Sequence, residues 1–351
     1  MAAQISHMLS GEAALDALGI ELTADSLPYF LFGCQGPDIF YHNQRTKPSG
    51  LHYGSLAHRK RFGSLVAAAA SSLEPENRRP ERPEGAYILG LSTHAALDRA
   101  THPFIVCRSL WISAATGDNA RHRGCHAFLE RLLDRELLAL REGISPAEYG
   151  ISTRLGFDRE PDTVIDANLV ALWEVGLRAA YPKASFADGL LRQRIANALA
   201  DGRHFYRATD PSRAGAENAD SDWGPRFAGE EGRYLVSILY PELSHRELDA
   251  MNLAKASWPH PAGDGRSSDA SYPELVARGE TKAARAIAAV LDLWASAMTE
   301  AELVSAIGEE GLSLVDAEGA PGFPRASSPL ALPEAMDEEL AYRIGRASLD
   351  P

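Results

Sequence analysis

Cysteine is scarce, long apolar runs are missing and positive charge is in deficit, and each shortage removes a class of protein. Only three cysteines, Cys34, Cys107 and Cys125, occur in 351 residues. Their odd number and the lack of C-x-x-C spacing argue against a disulfide framework or a zinc ribbon and point to small buried apolar side chains. The longest apolar stretches, such as Leu65 to Ala70 and Ala286 to Leu291, fall far short of the roughly 20 residues a membrane span needs. Lysine and arginine number 35 against 48 acidic residues, a formal charge of −13. A bare electrostatic grip on nucleic-acid phosphates or anionic lipid headgroups is therefore excluded unless bound cations invert the local field. The start, Met1-Ala2-Ala3-Gln4-Ile5-Ser6-His7, lacks the basic residues and continuous apolar core of a signal peptide, so a cytoplasmic protein is expected, with export by another route left open.

What remains is a folded chain, 45% apolar and 24% charged, in which period-2 alternation is rare and Ala-, Leu-, Arg- and Glu-rich stretches recur between Pro and Gly breaks. This predicts an all-α protein, a multi-helix bundle. Helices are expected near 7–18, 25–33, 54–74, 86–102, 119–141, 162–180, 185–206, 230–240, 273–298 and 300–308. Asp118 or Asn119 is a cap for the fifth and Ser185 for the seventh, and Pro273 sits where a first-turn proline is tolerated. Arg78 to Gly85, Thr209 to Gly229 and Pro259 to Ser271 read as loops within one domain rather than linkers. Residues 1–310 are expected to form that domain, and 311–351 an appended C-terminal tail with one short acidic helix, Glu334 to Ile344. No internal repeat is evident.

The chemistry-bearing residues sit on helical spacing. His94, Asp98 and His102 are four apart, so on a helix they line one face, and His126, Glu130 and Asp134 repeat the device. Imidazole and carboxylate together suit zinc, and two such faces converging in a bundle suit a multinuclear site. The bland alternative is a surface His/Asp pair, with Glu130 bound to Arg131 or Arg135. Against it, Leu97, Ile105, Leu129 and Leu133 share these segments, so the helices need partners on several sides, and a buried polar stripe without a metal is costly. Upstream, Gly33-Cys34-Gln35-Gly36-Pro37-Asp38 ends a helix at glycine and sets Asp38 in a turn, followed by aromatic residues and by His52 and His58.

The ordered set resembles the bacterial zinc-dependent phospholipase C family, related in fold to the zinc-dependent single-strand nucleases. The matching pieces are Ser6-His7-Met8, the Gly33-x-x-Gly36-Pro37-Asp38 turn, Gly54-Ser55-Leu56-Ala57-His58, Gly90-x-x-Thr93-His94-x-x-x-Asp98 with Thr101-His102-Pro103, and His126-x-x-x-Glu130. A weaker echo continues at Trp258-Pro259 and Ser271-Tyr272-Pro273-Glu274-Leu275. The resemblance implies an all-helical hydrolase with two or three zinc ions held by His7, Asp38, His58, His94, Asp98, His102, His126 and Glu130. His52 competes with His58, which fits the Gly-x-x-x-His segment better. Asp134 has no counterpart and is expected to support a ligand or to form a salt bridge. Secreted members complete one site with the amino and carbonyl groups of a processed N-terminal residue. This chain starts with Met1, and with Met1 retained two ions are expected to be well held and a third weak or absent.

The implied reaction is hydrolysis of a phospholipid on the glycerol side of the phosphate by a metal-bound hydroxide, with Asp38 orienting or deprotonating the water and the metals stabilising the leaving alkoxide. Clustered cations would also let an acidic protein draw in an anionic ester. Phe40, Tyr41 and Tyr53 are expected either to offer apolar surface to a lipid tail or base or simply to pack. The competing functions are a nuclease or small-molecule phosphodiesterase with the same metals, where nucleic acid enters only as substrate, and a non-catalytic metal-stabilised scaffold. The sequence leaves the oligomeric state open.

Overall fold

Segments rich in Ala, Leu and Arg fold as helices wherever Pro, Gly or a capping side chain supplies the end. The computed structural model describes residues 4–111, 122–159, 162–213, 229–315 and 322–347. Its α-helices are α1 (Gln4–Leu18), α2 (Leu27–Cys34), α3 (Leu51–Arg59), α4 (Phe62–Ser72), α5 (Pro83–Ser109), α6 (Cys125–Glu142), the single turns α7 (Pro146–Tyr149) and α8 (Ile151–Arg154), α9 (Thr163–Ala180), α10 (Pro182–Phe186), α11 (Leu191–Thr209), α12 (Gly229–Ile238), α13 (Tyr272–Trp294), α14 (Glu300–Ile307) and α15 (Leu332–Ala347). Among the described residues the strands are Trp258–Pro259 and Ser267–Ser268, antiparallel, with Trp258 opposite Ser268. The protein is all-α. No helix among the described residues is long and apolar enough to cross a membrane.

Local chemistry explains several ends. Asp162 caps α9 by accepting from Val164 N at 2.9 Å and Ile165 N at 3.2 Å. Ser271 and Glu274 form a capping box at the start of α13, with Pro273 in the first turn, and Thr299 and Glu302 do the same for α14. The single helix expected over 54–74 is two, because Arg61 turns left-handed at φ 66° and gives its N–H to Glu309 O at 2.8 Å. Ser185 caps nothing: it lies inside α10, and its hydroxyl donates to Tyr181 O. The cap expected at Asp118 or Asn119 lies outside the described residues, and α6 begins at Cys125. α5 runs past its expected end, through Pro103, to Ser109. A proline costs a helix one N–H and crowds the preceding turn, and here the buried Phe104, Ile105 and Cys107 hold the last turns in place.

α5 is the axis of the bundle. α2 lies on one side and α13 on another, α1 rests on α13 and α6, and α4 packs against α9 and α14. The α2–α5 crossing is made by glycines: a Cβ on Gly33 would stand 2.2 Å from Tyr87 O, and one on Gly90 2.0 Å from Phe30 O. Only glycine lets the two backbones meet so closely. The core continues through Trp173, which packs edge-on against Phe40 at 5.1 Å and donates to the Tyr87 hydroxyl at 2.7 Å. The last described segment crosses the end of α5, where Ser328 N donates to Cys107 O and Leu330 N to Arg108 O, both at 2.9 Å. It then lays α15 against α6 and α12, with Leu332 and Met336 buried.

Candidate metal centre

Because α5 is surrounded by other helices, its polar stripe is buried. His94, Asp98 and His102 are all buried, and His7 on α1, Asp38 on the turn after α2, His58 on α3 and Glu130 on α6 are buried with them. Their polar atoms converge. Asp98 Oδ1 lies 3.2 Å from His7 Nε2 and 3.7 Å from His102 Nε2. Its Oδ2 lies 3.2 Å from His94 Nε2 and 3.7 Å from His58 Nε2. His58 Nε2 is 3.0 Å from Asp38 Oδ1, and Glu130 Oε1 is 3.1 Å from His126 Nε2 and 3.6 Å from His102 Nε2. Three sets of side chains able to hold a metal result: His7/His94/Asp98 and Asp38/His58/His94, which share His94, and His102/His126/Glu130. His126, with a side chain 38% exposed, marks the open end of the cluster.

The rings are held by atoms that decide which nitrogen carries the proton. His58 Nδ1 faces Gly54 O at 2.8 Å and His94 Nδ1 faces Cys34 O at 3.1 Å. A carbonyl only accepts, so both Nδ1 atoms donate, and in the neutral rings both Nε2 atoms keep lone pairs aimed at the cluster. Ser109 Oγ gives its own hydrogen to Ile105 O at 2.7 Å, which leaves it to accept from His126 Nδ1 at 3.2 Å. The same tautomer follows. His7 and His94 stack at 4.3 Å with 11° between planes. Gly36 makes room for the Asp38 turn, since at its φ of +54° a Cβ would enter the His94 ring at 2.3 Å.

Electrostatics favour positive charge at this point. Burial pushes the Asp98 carboxyl upward, but the imidazoles of His102, His94 and His7 outweigh it and hold Asp98 well below the usual carboxylate range. Burial depresses His94 and His102, yet Asp98 beside them raises both, while His7 stays lowered by burial and by His94. Among the described residues, His58 Nε2, His94 Nε2, Asp98 Oδ2, both ring nitrogens of His102 and Glu130 Oε1 are buried without a hydrogen-bond partner. Such atoms cost about 1–3 kcal/mol apiece when left unsatisfied. Lone pairs of nitrogen facing lone pairs of oxygen repel, and a divalent cation between them removes the cost at each atom it binds. The donor set, imidazole nitrogen with carboxylate oxygen, fits zinc.

All eight residues expected at the site are brought together, and His52 is not: it is exposed on α3, 3.9 Å from the Tyr53 ring. Glu130 turns away from Arg131 and Arg135, which bind Gln4, Tyr240 and Leu243. Asp134 accepts from Ile5 N at 2.9 Å, Ser6 N at 2.7 Å and Ser6 Oγ at 2.8 Å. It therefore caps the first turn of α1, one residue before His7. Phe40 and Tyr53 are fully buried and offer no surface to a substrate; Tyr41, half-buried, stays 4.9 Å from the His58 ring. The cysteines are free and buried, and burial pushes the Cys34 thiol up to about 12, which leaves it inert. The orienting groups Ser109, Cys34 O and Gly54 O carried no signal in the sequence, since a carbonyl belongs to any residue.

A family model described as zinc-dependent phospholipase C matches residues 6–181, a span that contains every residue of the cluster. No curated protein and no solved structure matches the chain significantly.

Proposed function

Since this chain belongs to the zinc-dependent phospholipase C family, we propose that it hydrolyses phospholipid on the glycerol side of the phosphate, within a hydrolase domain of residues 1–310 and with 311–351 as an extension of it. The observation that carries the reading is the convergence of four imidazole Nε2 atoms on the two oxygens of one buried carboxylate, Asp98, at 3.2–3.7 Å. His7, Asp38, His58, His94, Asp98, His102, His126 and Glu130 would hold two or three zinc ions. Bound zinc supplies positive charge to the phosphate and acidifies a water molecule toward a pKa of about 7. The protein's own part is orientation and proton transfer. Gly54 O, Cys34 O and Ser109 fix the rings before any substrate arrives, so no reorganisation is needed when negative charge develops. Asp38 Oδ1, on a turn outside both ligand-bearing helices, takes the proton of the attacking water. Tyr41 borders His58 and helps to shape the wall on that side. The free cysteines support a reducing, cytoplasmic location.

Zinc-loaded protein should release diacylglycerol from phosphatidylcholine faster than it cleaves single-stranded DNA or a chromogenic phosphodiester. Preference for DNA would make it a nuclease, and no hydrolysis of any of the three by zinc-replete protein would leave a metal-stabilised scaffold. For the proton-transfer role, Asp38→Asn should keep most of the zinc while turnover of phosphatidylcholine falls by roughly 10²-fold. An Asp38→Asn protein of full activity would remove Asp38 from that role.

A further inference from the structure

A second group of ligand-type side chains lies away from the centre, where α15 meets the turn that follows α12. His245 is 2% exposed, and neither of its ring nitrogens has a hydrogen-bond partner among the described residues. Its Nδ1 points at two carboxylates, Glu247 Oε1 at 3.7 Å and Glu338 Oε2 at 3.8 Å. These two side chains are 67% and 65% exposed and pair with no Lys or Arg among the described residues. A protonated imidazole bonded to a carboxylate stands at about 2.7–2.9 Å, and these groups are too far apart for that. Two donors sharing one tetrahedral zinc, each about 2.0–2.2 Å from it, stand about 3.4 Å apart, which is close to what is seen. All three ligand atoms lie within 4.8 Å of one another.

A third carboxylate lies behind the ring. Its Nε2 faces Glu339 Oε2 at 3.9 Å. Glu339 is itself fixed, accepting from Glu242 N at 2.8 Å, Leu243 N at 3.0 Å and Arg343 Nε at 2.9 Å. At 3.9 Å Glu339 makes no hydrogen bond to the ring, and it adds negative charge beside the group. Phe128 of α6 closes one side, its ring 5.9 Å from that of His245.

We propose that His245 Nδ1, Glu247 and Glu338 form a separate divalent-cation site, suited to zinc, that ties α15 to the turn Arg246–Leu248 and so fastens the C-terminal segment to the bundle. One nitrogen and two carboxylates neutralise a dication, and the ion satisfies a buried nitrogen that otherwise has no partner. None of its three residues belongs to the inner cluster; its role is to hold the chain.

The test compares zinc-loaded full-length protein with Glu247→Gln/Glu338→Gln by native mass spectrometry and hydrogen exchange. Both replaced side chains are exposed, so the fold is retained, as circular dichroism would check. The variant is expected to carry one zinc fewer, to exchange at least fivefold faster in Arg246–Leu248 and α15, and to hydrolyse phosphatidylcholine within twofold of the unaltered protein. His245→Gln should lose the same single ion. Equal zinc counts in all three proteins would overturn the site. Since the readout is a difference of one ion between proteins, it stands whether or not the main centre loads.

Discussion

Asp98→Asn is expected to cost the protein at least one zinc and to lower hydrolysis by about 10³-fold or more, because the loss removes activation of the water and neutralisation of the phosphate together. No other side chain in the cluster touches so many partners. Its two oxygens face four imidazoles, His7 and His102 on one side and His94 and His58 on the other. Asparagine keeps the volume and one oxygen, but its NH₂ presents hydrogens where a ligand lone pair is needed. Elemental analysis and a phosphatidylcholine assay on the same preparation measure both effects. Full zinc with lost activity would make Asp98 an orienting group instead of a ligand, and full activity would remove it from the centre. The comparison with Asp38→Asn separates holding the metal from moving the proton.

The second large effect is on stability. Stripping the protein with a chelator should lower its melting temperature by about 10 °C. A site loaded at a thousand times its dissociation constant stabilises the fold by about 4 kcal/mol, so two ions give about 8 kcal/mol. For a chain of this length, about 1.4 °C is lost per kcal/mol, given an unfolding entropy near 2.1 cal/mol/K per residue. The direction follows from burial: without the ions the unpartnered nitrogens and oxygens of His58, His94, Asp98, His102 and Glu130 face one another in the interior of the bundle. Differential scanning calorimetry before and after chelation, repeated on Glu247→Gln/Glu338→Gln, assigns the shift to the inner centre. An unchanged curve would mean that the cluster is stable without metal.

The ligand-bearing faces were legible because both lie on helices, where a spacing of four is enough to put side chains in one line. His94, Asp98 and His102 need no tertiary knowledge to be grouped, and neither do His126 and Glu130. The glycine-proline turn likewise announces a break that sets Asp38 apart. The helix starts expected near 162, 273 and 300 lie within one residue of those observed, where Asp162, Ser271 and Thr299 stand at the caps, but the cap expected at Ser185 is not one. Ends imposed from a distance were not legible. Arg61 leaves the helix because Glu309 waits for its N–H, and α5 passes Pro103 because buried neighbours hold its last turns. Phe40, Tyr41 and Tyr53 form one aromatic group in the sequence, yet two fill the core and one borders the site.

By itself, then, the sequence determined an all-α chain without a membrane span, two helical faces of metal-ligating type and a turn that presents a carboxylate, since each depends on neighbours within a few residues. Only the tertiary structure decided that the faces meet. His7 and His94 are 87 positions apart, and they stack because Asp134 anchors α1 while α13 wedges it against α5. His245 could find Glu338 only through the packing of α15 on the bundle, because a contact across so many residues is set by which helix faces bury together. The protonation of the rings was decided there as well: Cys34 O, Gly54 O and Ser109 Oγ are backbone and hydroxyl oxygens whose bearing on His94, His58 and His126 arises from where the helices cross.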